Sequence, residues 1–271
     1  MNKIVYAKTN NIFIFDGKLK KLINDFVYDT NISVNNQFLI FQDINNIFIF
    51  NSLENTITNV ELNLRHYLVL AVSESKKFAY AYEDKVYLFD NNTSTLIYTS
   101  EKDEIVNNIG WINNNSLLIN VETEEDGEEY YINREIQIDT KDVYEYPQFN
   151  TSNFIIRDKN IYFYDNYSFY IYNKLTDKVI LKSYFHNYAL DISYDEKFAV
   201  YSTKEKIVFF YFETDEKKEF EIGNIIQIRI SLDNKYLLAK NIRNSVKIID
   251  INSETVVDFI YNVNFMCFMP Y

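Results

Sequence analysis

Cysteine, proline, glycine and histidine are scarce in this sequence of 271 residues, and their scarcity excludes several kinds of protein. The single cysteine, Cys267, rules out an internal disulfide, which suits a reducing compartment. One cysteine and two histidines argue against a zinc site. The two prolines and four glycines form no linker-like stretch, so we predict one domain over residues 1–271.

Long apolar runs and an excess of basic residues are also missing. The longest apolar runs, at 67–72 and 207–212, are far too short to cross a membrane, and the first eight residues lack a signal-peptide core. We therefore expect a cytoplasmic protein that is not embedded in a membrane. The net charge of −12 argues against nucleic-acid binding. It favours a basic protein or peptide partner, or serves only to keep the chain in solution.

Catalytic and cofactor motifs are absent as well. The sequence contains no G-x-S-x-G elbow, P-loop, dinucleotide fingerprint or H-E-x-x-H pair. We therefore predict no catalytic residues, no cofactor and no metal. Cys267 lies in an apolar segment and is interpreted as a buried structural thiol, in preference to a nucleophile.

Aromatic residues are abundant, at 17% of the chain, and much of the sequence consists of short apolar runs. One sequence motif recurs, an apolar run that ends in an acidic residue or an asparagine. Its seven copies lie at residues 12–16, 47–51, 86–90, 135–139, 169–173, 208–213 and 246–250. Such regular repetition indicates a repeat architecture.

A polar turn followed by a second apolar run precedes each copy. The first apolar residues of these runs are Ile4, Phe38, Phe78, Leu117, Ile161, Phe198 and Tyr236. After the first gap of 34 residues the gaps are 40, 39, 44, 37 and 38 residues, which is the period of a four-stranded propeller blade. In the third blade the spacing predicts strands at 67–73, 77–82, 85–90 and 95–99. In the sixth it predicts strands at 189–193, 197–203, 206–212 and 217–222.

Apolar residues on both faces of the inner three strands favour a propeller over stacked sandwiches or an open β array, the two alternatives. A strand with one solvent-exposed face alternates in polarity, whereas residues 67–72 and 78–82 are apolar throughout. The chain also begins at the second strand of a blade and ends with a strand that has no local partner, at 264–269. We predict an all-β, seven-bladed propeller with four-stranded antiparallel blades, closed when this C-terminal strand completes blade one.

The motifs that end in Phe-Asp, each preceded by a turn with Ser or Asp, resemble the strand signatures of WD40 repeats. The resemblance covers the whole chain, but Phe, Tyr or Ile replaces the Trp and the Gly-His dipeptide is absent from every blade. The hydrogen-bonded tetrad of standard WD40 blades is therefore not expected. The resemblance implies an interaction platform more often than an enzyme.

Blade four contains the most distinctive local feature. The distance from Leu117 to Asp139 is 22 residues, against 12 to 15 for the matching segments elsewhere, and the surplus is acidic. We predict a protruding acidic hairpin with its turn near Gly127. Its acidic residues are Glu122, Glu124, Glu125, Asp126, Glu128 and Glu129. The loops expected beside it carry Glu83, Asp84, Glu101, Asp103 and Glu104, which would form one acidic sector.

Three interpretations of this sector remain open: a solvated loop without a role, a docking patch for a basic protein or peptide, and a cation site. The spacing does not match a calcium loop, because converging oxygens are needed and a run of acids does not supply them. His66 and His186 are interpreted as rim-loop residues or as pH- or partner-sensitive contacts, and both are candidate partner-binding residues. Tyr144, Tyr146, Phe185 and Tyr188 are expected near the same face, and Tyr146 and Tyr188 are candidate partner contacts.

The sequence thus favours a non-catalytic scaffold that binds a protein or peptide through its loop-bearing face. Two alternatives remain: a propeller enzyme such as a metal-assisted hydrolase, and a structural subunit of a larger assembly. Neither the partner nor the oligomeric state follows from the sequence.

Overall fold

A computed structural model describes most of the chain. The described residues are 3–8, 11–15, 19–23, 33–34, 37–42, 46–54, 56–61, 68–73, 75, 77–184, 189–263 and 265–269. His66, Phe185, His186 and Tyr188 lie outside them. By their contacts the residues form two compact units, one of residues 30–183 and the other of residues 1–29 with 184–271.

The unit of residues 30–183 contains four antiparallel sheets, blades two to five. Blade two consists of β4 (Ser33–Val34), β5 (Phe38–Gln42), β6 (Asn46–Asn51) and β7 (Thr56–Glu61). Blade three consists of β8 (Val69–Val72), β9 (Phe78–Tyr82), β10 (Lys85–Asp90) and β11 (Thr93–Thr99). Blade four consists of β12 (Ile105–Asn113), β13 (Ser116–Glu125), β14 (Glu128–Gln137) and β15 (Val143–Glu145). Blade five consists of β16 (Asn153–Ile156), β17 (Asn160–Tyr164), β18 (Ser168–Asn173) and β19 (Lys178–Tyr184).

The second unit contains blades six, seven and one. Blade six consists of β20 (Ala189–Ile192), β21 (Phe198–Ser202), β22 (Lys206–Tyr211) and β23 (Lys217–Glu221). Blade seven consists of β24 (Ile225–Ile230), β25 (Tyr236–Asn241), β26 (Val246–Asp250) and β27 (Thr255–Ile260). Blade one consists of β28 (Phe265–Met269), β1 (Lys3–Lys8), β2 (Asn11–Phe15) and β3 (Leu19–Ile23).

These seven four-stranded sheets form a seven-bladed β-propeller, and the predicted fold class is confirmed. The strands of blades three and six begin and end within two residues of the predicted positions. The prediction that residues 1–271 form one domain stays a prediction.

Burial explains why the inner strands are apolar throughout. Every residue of β5 and of β21 is buried, so both faces of these strands are covered. The outermost strands β7 and β23 are largely exposed and carry the polar residues. Neighbouring blades share apolar clusters within each unit; Leu237 of blade seven and Val200 of blade six, for example, belong to one buried cluster.

Asparagine and aspartate form most of the tight turns, as the low glycine content requires. Nine of the thirteen non-glycine residues with positive φ in the described part of the chain are Asn or Asp. Their short side chains bond the local backbone and tolerate the left-handed conformation. Asn51 is typical, because its Oδ1 accepts hydrogen bonds from the N–H groups of Leu53 and Glu54.

The C-terminal strand completes blade one, as predicted. β28 pairs with β1 in antiparallel register, with Ile4 opposite Phe268 and Val5 opposite Cys267. Met266 and Phe268 are buried against Ile4 and Tyr6. Cys267 is buried, and this burial raises the pKa of its thiol to about 12, as expected of a structural thiol.

Candidate functional site: the acidic hairpin of blade four

The hairpin of β13 and β14 is twice as long as its counterparts. Both strands have ten residues, whereas the two middle strands of every other blade have five or six. The ladder continues to Glu125 opposite Glu128, but β12 joins β13 only up to the pair of Ile105 with Glu122. Three residue pairs therefore extend beyond the end of β12, and the predicted protruding hairpin is confirmed.

The turn at the tip is the tight type that such a hairpin needs. Asp126 has a φ of 56° and Gly127 a φ of 82°. Two successive left-handed residues match the twist of the flanking strands, and an Asp-Gly pair is a favoured sequence for this turn. The carboxylates around the tip are thus held on paired strands.

Each face of the hairpin combines one tyrosine with several carboxylates. Cross-strand partners point to the same face, and successive residues alternate between faces. One face carries Glu122, Glu124, Glu129 and Tyr131. The opposite face carries Thr123, Glu125, Glu128 and Tyr130.

Both tyrosines bond to carboxylates on their own face. The hydroxyl of Tyr130 donates to Oε2 of Glu128 and that of Tyr131 donates to Oε2 of Glu129, each over 3.3 Å. Desolvation, followed by the charges of Glu122 and Glu129, raises the pKa of Tyr131. Tyr131 therefore stays protonated at neutral pH and keeps its donor.

A buried ion pair fixes the base of the hairpin. Arg134 of β14 donates from Nη1 to Oε2 of Glu104 over 2.6 Å and from Nη2 to Oε1 over 2.9 Å. Nη1 also donates to the hydroxyl of Tyr98 in blade three, and Nε donates to Glu145 in β15 over 3.2 Å. The guanidinium therefore joins β14 to the 100–104 loop that leads into β12, to β15 and to blade three.

Both members of this pair are held in their charged forms. Burial disfavours the charge on Glu104, but the hydrogen bonds from Arg134 and from the N–H of Glu101 outweigh it and lower the pKa of Glu104. Burial also disfavours the charge on Arg134, and its bond to Glu104 outweighs that effect and raises the pKa of Arg134. The pair is bidentate and charge-assisted, which makes it both strong and directional.

The two loops that carry the expected acidic neighbours lie against each other, and Glu104 in one of them requires a correction. The N–H of Ser100 donates to the carbonyl of Asp84 over 2.7 Å, so the turn with Glu83 and Asp84 lies against the 100–104 loop. Glu83, Glu101 and Asp103 are exposed. Glu104, predicted to contact a partner, is 7% exposed and engaged by Arg134, so it is a structural residue.

Tyr146 is also a correction, because it lies in the core and not on the surface. Its ring is buried among Phe149, Phe163 and Tyr172, and its hydroxyl donates to Oε2 of Glu135 over 2.6 Å. Sequence spacing placed it near a loop, but the aromatic cluster of blades four and five takes it inward. Tyr144, by contrast, is exposed.

The other candidate residues remain predictions. His66, His186 and Tyr188 lie outside the described residues. Within the described part of the chain, no group of three or more His, Cys, Asp or Glu side chains is arranged to hold a metal ion. Partner binding by the acidic residues stays a prediction.

Arg134, Tyr130 and Tyr131 are the residues that sequence reasoning missed. A signal was present for Arg134, because a charged residue interrupts a strand whose counterparts in other blades are mostly apolar. A strand arginine with both faces covered needs a carboxylate partner. The sequence contains too many acids to identify Glu104 as that partner.

No protein-family model matches the chain, and no curated protein sequence matches it. No helix within the described residues is long and apolar enough to cross a membrane.

Proposed function

We propose that this propeller is a non-catalytic, cytoplasmic, WD40-like interaction scaffold that docks a basic segment of a partner protein on the blade-four hairpin. The observation that carries the proposal is the projecting hairpin, whose two faces each combine a tyrosine with carboxylates. Propeller folds commonly mediate protein interactions, and that analogy adds only general support.

The side chains of the hairpin fit arginine or lysine. A guanidinium or ammonium group is attracted to carboxylates and to the face of a tyrosine ring. Glu124, Glu125 and Asp126 are exposed at the tip, while Tyr130 and Tyr131 are half-buried nearer the base. A basic side chain that reaches along either face would meet both kinds of group. The net charge of −12 would also speed the approach of a basic partner.

The buried base favours binding because it limits what has to be ordered. Strands held by a full ladder and by the Arg134–Glu104 pair lose little conformational entropy when a partner docks. A solvated loop without a role would not need such an anchor. This contrast favours docking over the solvated alternative.

The test is binding of a fluorescein-labelled peptide of alternating Arg and Ser residues, measured by anisotropy at several salt concentrations. Changing Glu124→Gln, Glu125→Gln, Asp126→Asn and Glu128→Gln together should weaken binding about tenfold and flatten its salt dependence. The substitutions keep the hairpin shape, because Asn tolerates the positive φ of residue 126.

The matched control removes the same charge from exposed positions of blade six. It combines Glu213→Gln, Asp215→Asn, Glu216→Gln and Glu221→Gln. This variant should bind within about twofold of the unmodified chain at physiological salt, because screening limits distant charges. Equal losses in both variants would reduce the effect to net charge and refute a docking site on the hairpin.

A further inference from the structure

The outer strand of blade seven has an apolar exposed edge. Val256, Val257, Phe259 and Tyr261 are 40%, 53%, 47% and 62% exposed, and the rings of Phe259 and Tyr261 stack. Asp258 is the only charged residue in β27. The outer strand of blade six, β23, instead reads Lys-Lys-Glu-Phe-Glu. β27 thus lacks the run of charges that usually protects an outer strand.

The backbone N–H of Phe259 in β27 points outward, where another strand could pair with it. Asp258 and Ile260 lie opposite Ile248 and Val246 of β26. In β26 the odd-numbered positions face β25, since the N–H of the next odd residue, Ile251, donates to Lys235. The even positions therefore face β27, and Phe259, between Asp258 and Ile260, points its N–H away from the sheet.

Asp258 blocks this outward group with its own side chain. The N–H of Phe259 donates to Oδ1 of Asp258 over 2.7 Å. The carboxylate therefore occupies the position that a carbonyl of an added strand would take.

The same arrangement occurs on two inner strands that end their sheets. In β12 the N–H of Ile109 donates to Oδ1 of Asn108, and in β20 the N–H of Ile192 donates to Oδ1 of Asp191, each over 2.9 Å. Both β12 and β20 are terminal strands of their sheets, like β27. Capping by the preceding Asn or Asp is thus a repeated means of satisfying an edge amide.

From these contacts we infer that the outer edge of blade seven is a self-pairing surface, which Asp258 keeps closed against a second copy of this chain. Removal of the cap would let two β27 strands pair edge to edge. The same residue acts twice, because it occupies the amide of Phe259 and also repels the Asp258 of an approaching copy.

A second copy is the occupant that matches this edge in both side chains and backbone. The chain carries a net charge of −12, so two copies repel each other at most approaches. β27 is a place where this repulsion is small, since the strand and the adjoining Tyr261 offer four exposed apolar side chains and one carboxylate. Each copy presents the same apolar residues and the same outer backbone edge, which makes the surface complementary to itself.

Sedimentation velocity over a range of concentrations tests the inference. The unmodified chain should sediment as a monomer. Asp258→Ala, which removes both cap and charge, should form a dimer with at least about tenfold stronger self-association. Asp258→Asn should show a smaller increase, because its amide oxygen can still cap the N–H as Asn108 does.

Two further variants locate the effect. Adding Phe259→Lys to Asp258→Ala should restore the monomer, because it places a charge on the pairing edge. Glu213→Gln, which removes one exposed charge from a turn of blade six, should stay monomeric. Thermal melting checks that each variant is folded. A monomeric Asp258→Ala variant, a dimer that Phe259→Lys leaves intact, or an unmodified chain that already dimerises would each overturn the inference.

Discussion

Blade one and blade four have the same strand order but are built in opposite ways. Blade one takes β1, β2 and β3 from the beginning of the chain and β28 from its end. Blade four is continuous in sequence, and it extends its middle hairpin well beyond the other strands. One blade depends on a contact across the whole sequence, and the other adds structure locally.

The difference shows where the fold is fragile and where it tolerates variation. Pairing of β28 with β1 brings together residues more than 250 positions apart. Blade one therefore loses this pairing if either end of the chain is removed. The blade-four hairpin closes over two residues, Asp126 and Gly127. Residues 124–129 at its tip are exposed, so changes there should leave the packing between blades intact. Arg134 at its base bonds to Tyr98 of blade three, so changes there should disturb that packing.

The largest effect is expected when blade one loses its fourth strand. Deletion of residues 262–271 removes Met266, Cys267 and Phe268 from the core and exposes the β1 edge. We expect loss of cooperative thermal unfolding, or aggregation, measured by circular dichroism and light scattering.

The matched control shortens blade four instead. Replacement of residues 123–130 by Asn-Gly should leave a two-residue hairpin between Glu122 and Tyr131, with a melting temperature within about 4 °C of the full chain. A C-terminal truncation that melts like the full chain would contradict the role of β28.

The next effect concerns the base of the blade-four hairpin. Arg134→Met leaves the Glu104 carboxylate buried without its partner, which should cost about 3–5 kcal/mol in urea unfolding. Lys206→Met, which breaks an exposed pair with Glu219, should cost no more than about 1 kcal/mol. A similar small loss for both variants would show that the Arg134 pair does not anchor the hairpin.

The same pair should make stability fall in acid. The folded pKa of Glu104 lies below its ordinary value of 4.5, so the pair's contribution is complete above about pH 4.5. It is lost as the pH falls below that value and through the folded pKa. Urea unfolding between pH 7 and pH 3 should show a steeper acid loss for the unmodified chain than for the Glu104→Gln, Arg134→Met double variant. Parallel curves would contradict this assignment.

The smallest effect is expected at the hairpin tip. Gly127 has a φ of 82° with open space around its Cα, so Gly127→Ala adds backbone strain of about 1 kcal/mol without a clash. Amide exchange should quicken at residues 123–131 while global unfolding changes little. Gly223→Ala is the control, because Gly223 has a φ of 90° and also lies in open space, but outside the hairpin. Unchanged exchange at the tip would show that the turn tolerates alanine.

Most of the fold could be predicted because each blade repeats its own pattern. The anchors Phe78 and Phe198, with the motifs that follow them, predict strands to within two residues. The acidic surplus after Leu117 predicts the hairpin. The positions of Glu104 and Tyr146 were predicted wrongly. A buried acid and an exposed acid look the same in sequence, as do a core tyrosine and a surface one.

The amino-acid sequence alone determined the period, the apolar inner strands, the polar turns and the unpaired strand at the end of the chain, because all of these depend on local patterns. Only the tertiary structure decided that Glu104 pairs with Arg134, that Tyr146 turns inward and that Asp258 caps an edge amide. Those outcomes depend on which backbone and side-chain groups meet across strands, and residue type and spacing do not specify the partner.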